Sequence, residues 1–428
     1  MNAILSAAIA LTTLTSLLLV LRYRNTRIEG SAPMPLVTFL AVLFTSGLDV
    51  GLLMFPMVDF EIFANEPDYA FANPLALEFG FWGFLVWGFY FLTTFYFCVV
   101  EPRLQLFEIP AIKLINNLTI IGTCAFTGYL ILHYLPGYIE GIPDAVRYGL
   151  VAGTVLVAVI SSTQIRFVKV LSLASSGLFF ALIAGSFIAS GMGVSGFADT
   201  VGQLGDYFGQ LPRFVFPIND YHAFYLFWWF AWSIMIGQFV SRFVSGFTAW
   251  QLLLLLLVVP SIPIALWFSV LYWYFANDIS IAGLMSWAMM GVGILFVVNS
   301  LDSLTRLYTQ NIGLTVDALG TKRYVAVNWV ILFALVMAFQ FTPFKIEWVG
   351  LVVVGIYAAI YTLVFLRRAA LRSVPVCTPK ICQCLIRRHF EIKAVPVAVW
   401  RAQHLCHKDN NEIFLGVYPE LGVGDTAP

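Results

Sequence analysis

Apolar stretches long enough to cross a bilayer recur eleven times, near 3–22, 36–58, 79–100, 112–135, 145–163, 168–190, 222–244, 251–275, 283–305, 324–342 and 348–366. About 17–25 apolar residues wound as a helix match the hydrocarbon thickness, and a backbone in lipid must satisfy its own hydrogen bonds. The sequence therefore predicts an all-α integral membrane protein. Hydrophobic residues make up 60% of it and charged residues 11%, against roughly 25% charged in a soluble domain. The first stretch carries no Lys or Arg ahead of its apolar run, so it reads as a spanning helix rather than a cleaved signal peptide.

Basic residues alternate between loops. Arg22, Arg24 and Arg27 follow the first segment, Arg103 and Lys113 the third, and Arg166 and Lys169 the fifth. Arg242 follows the seventh, Arg306, Lys322 and Arg323 the ninth, and Arg367, Arg368 and Arg372 the eleventh. The stretch between the second and third segments instead carries Asp59, Glu61, Glu66, Asp68 and Glu78. The positive-inside rule then predicts an outside N-terminus and a cytoplasmic C-terminus in a plasma (inner) membrane. The net charge of zero says little, because the two signs are sorted by side.

Three regions follow: an N-terminal helix and basic linker over 1–34, a membrane core over 35–366, and a cytoplasmic tail over 367–428. Residues 198–216 are too polar to span and read as an amphipathic helix at the outer interface. Cys98 and Cys124 sit in apolar segments as small core residues, whereas Cys377, Cys382, Cys384 and Cys406 lie in the tail with His389, His404 and His407. That tail spacing fits no standard zinc finger, and cysteines beside a basic juxtamembrane run are equally open to palmitoylation. His133 and His222 are the histidines near the membrane, and no paired-His motif accompanies them, so no cofactor, metal, nucleic-acid partner or enzymatic site is expected.

Two features carry chemistry. Residues 225–232 read Tyr-Leu-Phe-Trp-Trp-Phe-Ala-Trp, which places Trp228, Trp229 and Trp232 on one helical face. Tryptophans there can pack between helices or anchor at the interface. Three indole faces pointing the same way can also hold a cation that lacks hydrogen-bond donors, as a quaternary ammonium does. The second segment contains Thr45-Ser46-Gly47-Leu48-Asp49-Val50-Gly51. Two glycines beside Ser and Asp mark a place where a helix opens, and an acid at membrane depth is a functional candidate by default. Its alternative is a structural hydrogen bond to a neighbouring helix.

Together these residues resemble the betaine/choline/carnitine transporter family. Its Trp-Trp-x-x-Trp matches Trp228, Trp229 and Trp232; its Gly-x-Phe-x-x-Arg-x-x-x-Gly matches Gly237, Phe239, Arg242 and Gly246. Pro260, Leu266-Trp267-Phe268-Ser269, Gly205-Asp206-Tyr207 and Asp302-Ser303 agree in order, and the resemblance covers roughly residues 22–366. It implies two inverted five-helix repeats, a ten-helix transporter core behind one preceding helix, and a homotrimer. The family's first aromatic set is carried onto Phe79, Phe84 and Trp87, where a Phe face binds cations more weakly than a Trp face. Where the family has Gly-x-Gly-x-Gly, this chain has Gly47-Leu48-Asp49-Val50-Gly51, and the family's second sodium-binding segment falls on Phe296, Asn299 and Ser300.

The implied function is secondary active transport of a small quaternary-ammonium solute, a choline-like cation preferred, by alternating access. The acid at Asp49 points to a coupling proton rather than sodium. Two other readings are a sodium-coupled transporter of a betaine- or carnitine-type zwitterion and a non-transporting receptor or osmosensor signalling through the tail. Asp302 and Arg306, spaced i, i+4, are expected to be a structural ion pair.

Overall fold

The computed structural model describes residues 2–48, 51–139 and 141–369. Asp49 and the Cys- and His-containing tail lie outside the described residues. Among the described residues, ten helices are long and apolar enough to cross a membrane, and one further crossing is made in pieces. In chain order the preceding helix is α1 (Asn2–Tyr23), followed by the divided crossing α2 (Leu36–Ser46), α3 (Gly51–Met54) and α4 (Pro56–Asn65). The next crossing, Pro74–Leu104, is also divided, into α5 (Pro74–Trp82) and α6 (Leu85–Phe95), the latter running on through a π turn. Then come α7 (Pro110–Tyr138), α8 (Asp144–Ser161) and α9 (Ile165–Ala189). Sequence and structure agree on these crossings to within several residues, except that the second is broken and returns as a helix as far as Asn65.

A polar connection follows. The single amphipathic helix expected over 198–216 is instead two short helices, α10 (Val194–Gly202) and α11 (Gly205–Gly209), and a 3₁₀ turn (Leu211–Val215). The second five crossings are α12 (Asp220–Val240), the divided pair α13 (Ala249–Val258) and α14 (Ser261–Ala276), α15 (Leu284–Ile312), α16 (Thr321–Phe341) and α17 (Ile346–Leu366). Five crossings per half is an odd number, so the second half enters the bilayer the other way up. The packing obeys that inversion in mated pairs. The first helix of each half meets the fifth of its own half, α2 on α9 and α12 on α17. The third helix of each half packs on the first, fourth and fifth of the other: α15 on α2, α8 and α9, and α7 on α12, α16 and α17. This is the two-fold five-helix architecture that the resemblance implies.

The two second crossings break at matching places, and the breaks touch. One lies at Gly83–Phe84, where Phe84 takes a positive φ of 41°; the other lies at Val259–Pro260, ahead of α14. The Phe84 N–H donates to Ser261 Oγ at 2.8 Å, and that hydroxyl donates to the Leu257 carbonyl at 2.6 Å. A helix start orphans N–H groups that water cannot reach here, and one serine hydroxyl serves both breaks. Outside the core, β1 (Arg27–Ile28) pairs antiparallel with β2 (Phe247–Thr248) and fixes the basic linker to the loop after α12. Cys124 is buried as expected, whereas Cys98 is half-buried with its thiol 3.4 Å from the Ser241 carbonyl.

Small residues set how closely the mated helices approach. A Cβ at Gly350 on α17 would lie 2.3 Å from the Phe227 carbonyl oxygen of α12, backbone that cannot swing aside, whereas a Cβ at Gly355 meets nothing within 4 Å. Gly350→Ala is therefore expected to cost about 1–3 kcal/mol through forced separation of α12 and α17. Gly355→Ala should be neutral or slightly stabilising. Thermal unfolding of the two variants in detergent measures the difference, and equal melting temperatures would contradict the packing described.

Candidate functional site

The first helix break is stitched shut by side chains from three other helices. Ser300 Oγ of α15 donates to the Leu48 carbonyl at 2.7 Å and lies 3.3 Å from the Thr45 carbonyl. Trp267 Nε1 of α14 donates to Leu52 O at 3.0 Å, and the Tyr138 hydroxyl of α7 to Met54 O at 3.0 Å. The hydroxyls of Ser46 and Ser303 meet at 3.1 Å. A Cβ at Gly47 would lie 3.0 Å from the Trp87 ring, tighter than ordinary contact, so a larger residue would press on that indole.

Beside this break lies a cavity of about 30 Å³, room for one or two water molecules. Its walls are Gly47 and Leu48 from the break, Phe81, Trp82, Val86 and Tyr90 from α5 and α6, and Tyr225, Trp228, Trp229 and Trp232 from α12. Seven of these ten are aromatic and none is charged. Trp82 and Trp228 close on each other edge to face, with centroids 5.3 Å apart at 80°, and Phe55 packs against both at 5.8 and 5.7 Å. Trp229 Nε1 donates to the Phe81 carbonyl at 2.8 Å, which pins the α12 wall to the end of α5. Trp232 Nε1 is buried with no hydrogen-bond partner.

All three α12 tryptophans line the cavity together, as their spacing predicts. The residues carried over for the facing wall do not. Phe79 packs on Tyr207 (5.2 Å) and Phe84 on Phe208 (5.5 Å), both under the polar connection. Trp87 sits behind Gly47, its Nε1 donating to the Trp82 carbonyl at 3.2 Å. The aromatic wall on this helix is Trp82 and Tyr90, three residues further along than Phe79 and Trp87. Phe79 and Trp87 lie on either side of the break at Gly83–Phe84, and neither lines this cavity.

The five described residues assigned to ion coupling are brought near one junction but not into one coordination shell. Ser300 reaches the break as above, and Gly47 and Gly51 border it. Asn299 turns away to exchange hydrogen bonds of 3.2–3.3 Å with Ser172 of α9. Phe296 is clamped between Phe44 (5.9 Å) and Phe179 (5.5 Å). Asp302 and Arg306 pair at 3.1 Å, and Arg306 also donates to the carbonyls of Ser161 and Gln164. That pair ties α15 to the turn after α8, a structural role. No group of three or more metal-ligating side chains occurs among the described residues.

Two acids from the acidic stretch between the second and third apolar segments are deep inside. Asp59 on α4 is 1% exposed and Glu78 on α5 is 0% exposed. Asp59 accepts from the Tyr221 hydroxyl at 2.6 Å and the Tyr225 hydroxyl at 2.5 Å, one on each carboxylate oxygen. Glu78 faces Asp59 and Trp82, and neither of its oxygens has a hydrogen-bond partner. The signal was present in the apolar runs around each acid, Met57-Val58-Asp59-Phe60 and Ala76-Leu77-Glu78-Phe79.

Residues 113–274 match the sequence model of the BCCT family, described as the betaine/carnitine/choline family transporter. The glycine betaine transporter OpuD of Bacillus subtilis is 25% identical over 281 residues, 55% of this chain and 54% of that protein. The high-affinity choline transport protein of Escherichia coli K12 is 31% identical over 171 residues, 35% of this chain and 24% of that protein. The chain thus spans about half the length, or less, of these curated relatives. Among solved structures, a Na⁺-coupled sialic acid symporter in a substrate-bound outward-open state aligns with a TM-score of 0.42 at 13% identity, over 85% of this chain and 83% of that one.

Ser300→Ala removes the donor that holds the Leu48 carbonyl. With that carbonyl unserved at membrane depth, stability should fall by about 1–3 kcal/mol. Ser300→Thr, which keeps the hydroxyl, should lose less. Melting temperatures of the two variants, measured side by side, check the ranking.

Proposed function

The chain belongs to the betaine/carnitine/choline transporter family, and on that premise we propose that it is a secondary transporter whose aromatic cavity takes a quaternary-ammonium solute. The observation that carries this reading is the uncharged wall of Trp82, Tyr90, Trp228, Trp229 and Trp232. A trimethylammonium group has no donors to satisfy and gains from π faces on several sides, about 0.5–2 kcal/mol for each ring that covers it. The buried indole N–H of Trp232 is a free donor for an acceptor on the same solute, such as a hydroxyl or carboxylate oxygen.

A choline-like cation is the preferred solute and a proton the preferred coupling ion. Asp59 and Glu78 lie one side chain away from the cavity, through Tyr225 and Trp82. Buried negative charge favours a net cation over a zwitterion whose own carboxylate would face it. The solute is larger than the 30 Å³ available, so admission requires Trp82 and Trp228 to part. In the bilayer the charge alternation assigns the N-terminus to the outside and the C-terminus to the cytoplasm.

Uptake of labelled choline into proteoliposomes, with sodium and pH gradients imposed separately, tests the proposal. Uptake that follows the proton gradient and ignores sodium is the expected result. Trp228→Ala or Trp232→Ala should raise the choline Kd about tenfold or more, the loss of one cation–π face at about 1.4 kcal/mol. Phe84→Leu, outside the cavity wall, should change it less than threefold. Asp49→Asn forms a second arm, because the sequence assigns coupling to that acid. Sodium-driven uptake of glycine betaine with no choline uptake would replace this reading with the zwitterion transporter.

A further inference from the structure

Membrane interiors tolerate an acid only when it is paired, hydrogen-bonded or neutral. Asp59 and Glu78 are two such acids facing one another, and they are built differently. Both Asp59 oxygens accept phenolic O–H groups, from Tyr221 and Tyr225. That is the environment of an ionised carboxylate, which has only acceptor capacity. Glu78 is wholly buried with no donor on either oxygen. A second bare charge beside the first would carry both the desolvation penalty and like-charge repulsion, so Glu78 is the neutral acid and its O–H faces Asp59.

The ion pairs Lys113–Glu108, Arg147–Asp144 and Arg306–Asp302, seen among the described residues, involve neither acid. The surrounding titratable groups are otherwise phenols and one imidazole. From α12 these are Tyr221, Tyr225 and His222; from α7 they are Tyr134 and Tyr138. Tyr69 lies in the turn after α4, Tyr207 on α11 beside α5, and Tyr272 on α14 over Phe60. Arg213, in the 3₁₀ turn against α5, stacks over Phe71 instead.

The pair is joined to the cavity by two side chains that belong to both. Tyr225 lines the cavity with its ring while its hydroxyl holds Asp59. Trp82 lines it too, one helical turn after Glu78 and facing it. We propose that Asp59 and Glu78 together hold one exchangeable proton, and that a cation entering the aromatic cavity expels it. The Glu78 O–H bond breaks and the proton passes to water on the open side. The buried charge is conserved: a singly protonated pair carries one negative charge, and an unprotonated pair with one bound cation carries the same. Exchange of one proton for one cation follows, with the tyrosine–tryptophan wall as the link.

This inference rests on the quaternary-ammonium reading of the cavity, and the test separates the two. Full-length protein in detergent is titrated with choline chloride in weak buffer, following tryptophan fluorescence for binding and a pH-indicator dye for protons. Wild type should release close to one proton per choline bound. Glu78→Gln should still bind choline and release essentially none. Equal release from Glu78→Gln and wild type overturns the proposal. Infrared spectra of the solute-free protein, with and without Glu78→Gln, provide a reading independent of ligand. The carbonyl band of a buried protonated carboxyl should be present in wild type and lost in the variant, and a band that persists overturns the assignment. If wild type binds no choline, the cavity reading fails, and the infrared band alone decides whether Glu78 carries the proton.

Discussion

A helix that breaks inside a membrane must find partners for the backbone groups it frees, because lipid supplies none. This chain breaks three crossings, and side chains serve the released groups around each break. Carbonyls of Thr45, Leu48, Leu52 and Met54 are met by Ser300, Trp267 and Tyr138. Those of Phe81 and Trp82 are met by Trp229 and Trp87, and the Phe84 N–H by Ser261. The donors come mostly from the opposite half of the inverted repeat, so closing the breaks is also what clamps the halves together. The cavity sits where these requirements converge. Its aromatic character follows in part from the need for long, rigid donors: Trp229 satisfies a carbonyl with its N–H and lines the cavity with its face.

The same economy extends to the acids. Tyr221 and Tyr225 are successive hydroxyls on one turn of α12, and they reach one carboxylate of α4 across the bundle. One turn later the same helix presents Trp228, Trp229 and Trp232. A charge site and an aromatic site are thus consecutive turns of a single rigid element. Asp59 and Glu78 lie on α4 and α5, which pack against each other and against α14.

The sequence was legible where its signals are long or periodic. Apolar length located the crossings, and Trp-Trp-x-x-Trp identified one wall, because an unbroken helix preserves its phase from 228 to 232. The residues carried over by resemblance, Phe79, Phe84 and Trp87, do not line this cavity, whereas Trp82 and Tyr90 do. In a stretch as aromatic as 79–97, any register places rings on every face. Glu78 and Asp59 were read as part of the acidic stretch between two segments because they flank Glu66 and Asp68. Local composition cannot show that α4 folds back under α12 or that two phenols 162 and 166 residues away come to meet Asp59. The single amphipathic helix failed for a similar reason. Tyr207 and Phe214 turn inward to cover Phe79, Gly80 and Phe81, with Leu211-Pro212 opening a 3₁₀ turn between them.

The narrowness of the cavity bears on how transport would proceed. Trp82 and Trp228 touch edge to face, an arrangement worth about 0.5–1.5 kcal/mol beyond area burial, and Phe55 wedges beside both. Phe55 belongs to the joint between α3 and α4, so parting the tryptophans must move the divided first crossing. That joint carries the Leu52 and Met54 carbonyls held by Trp267 and Tyr138, and α4 carries Asp59. Phe55 thus packs both tryptophans against the same segment that carries Asp59.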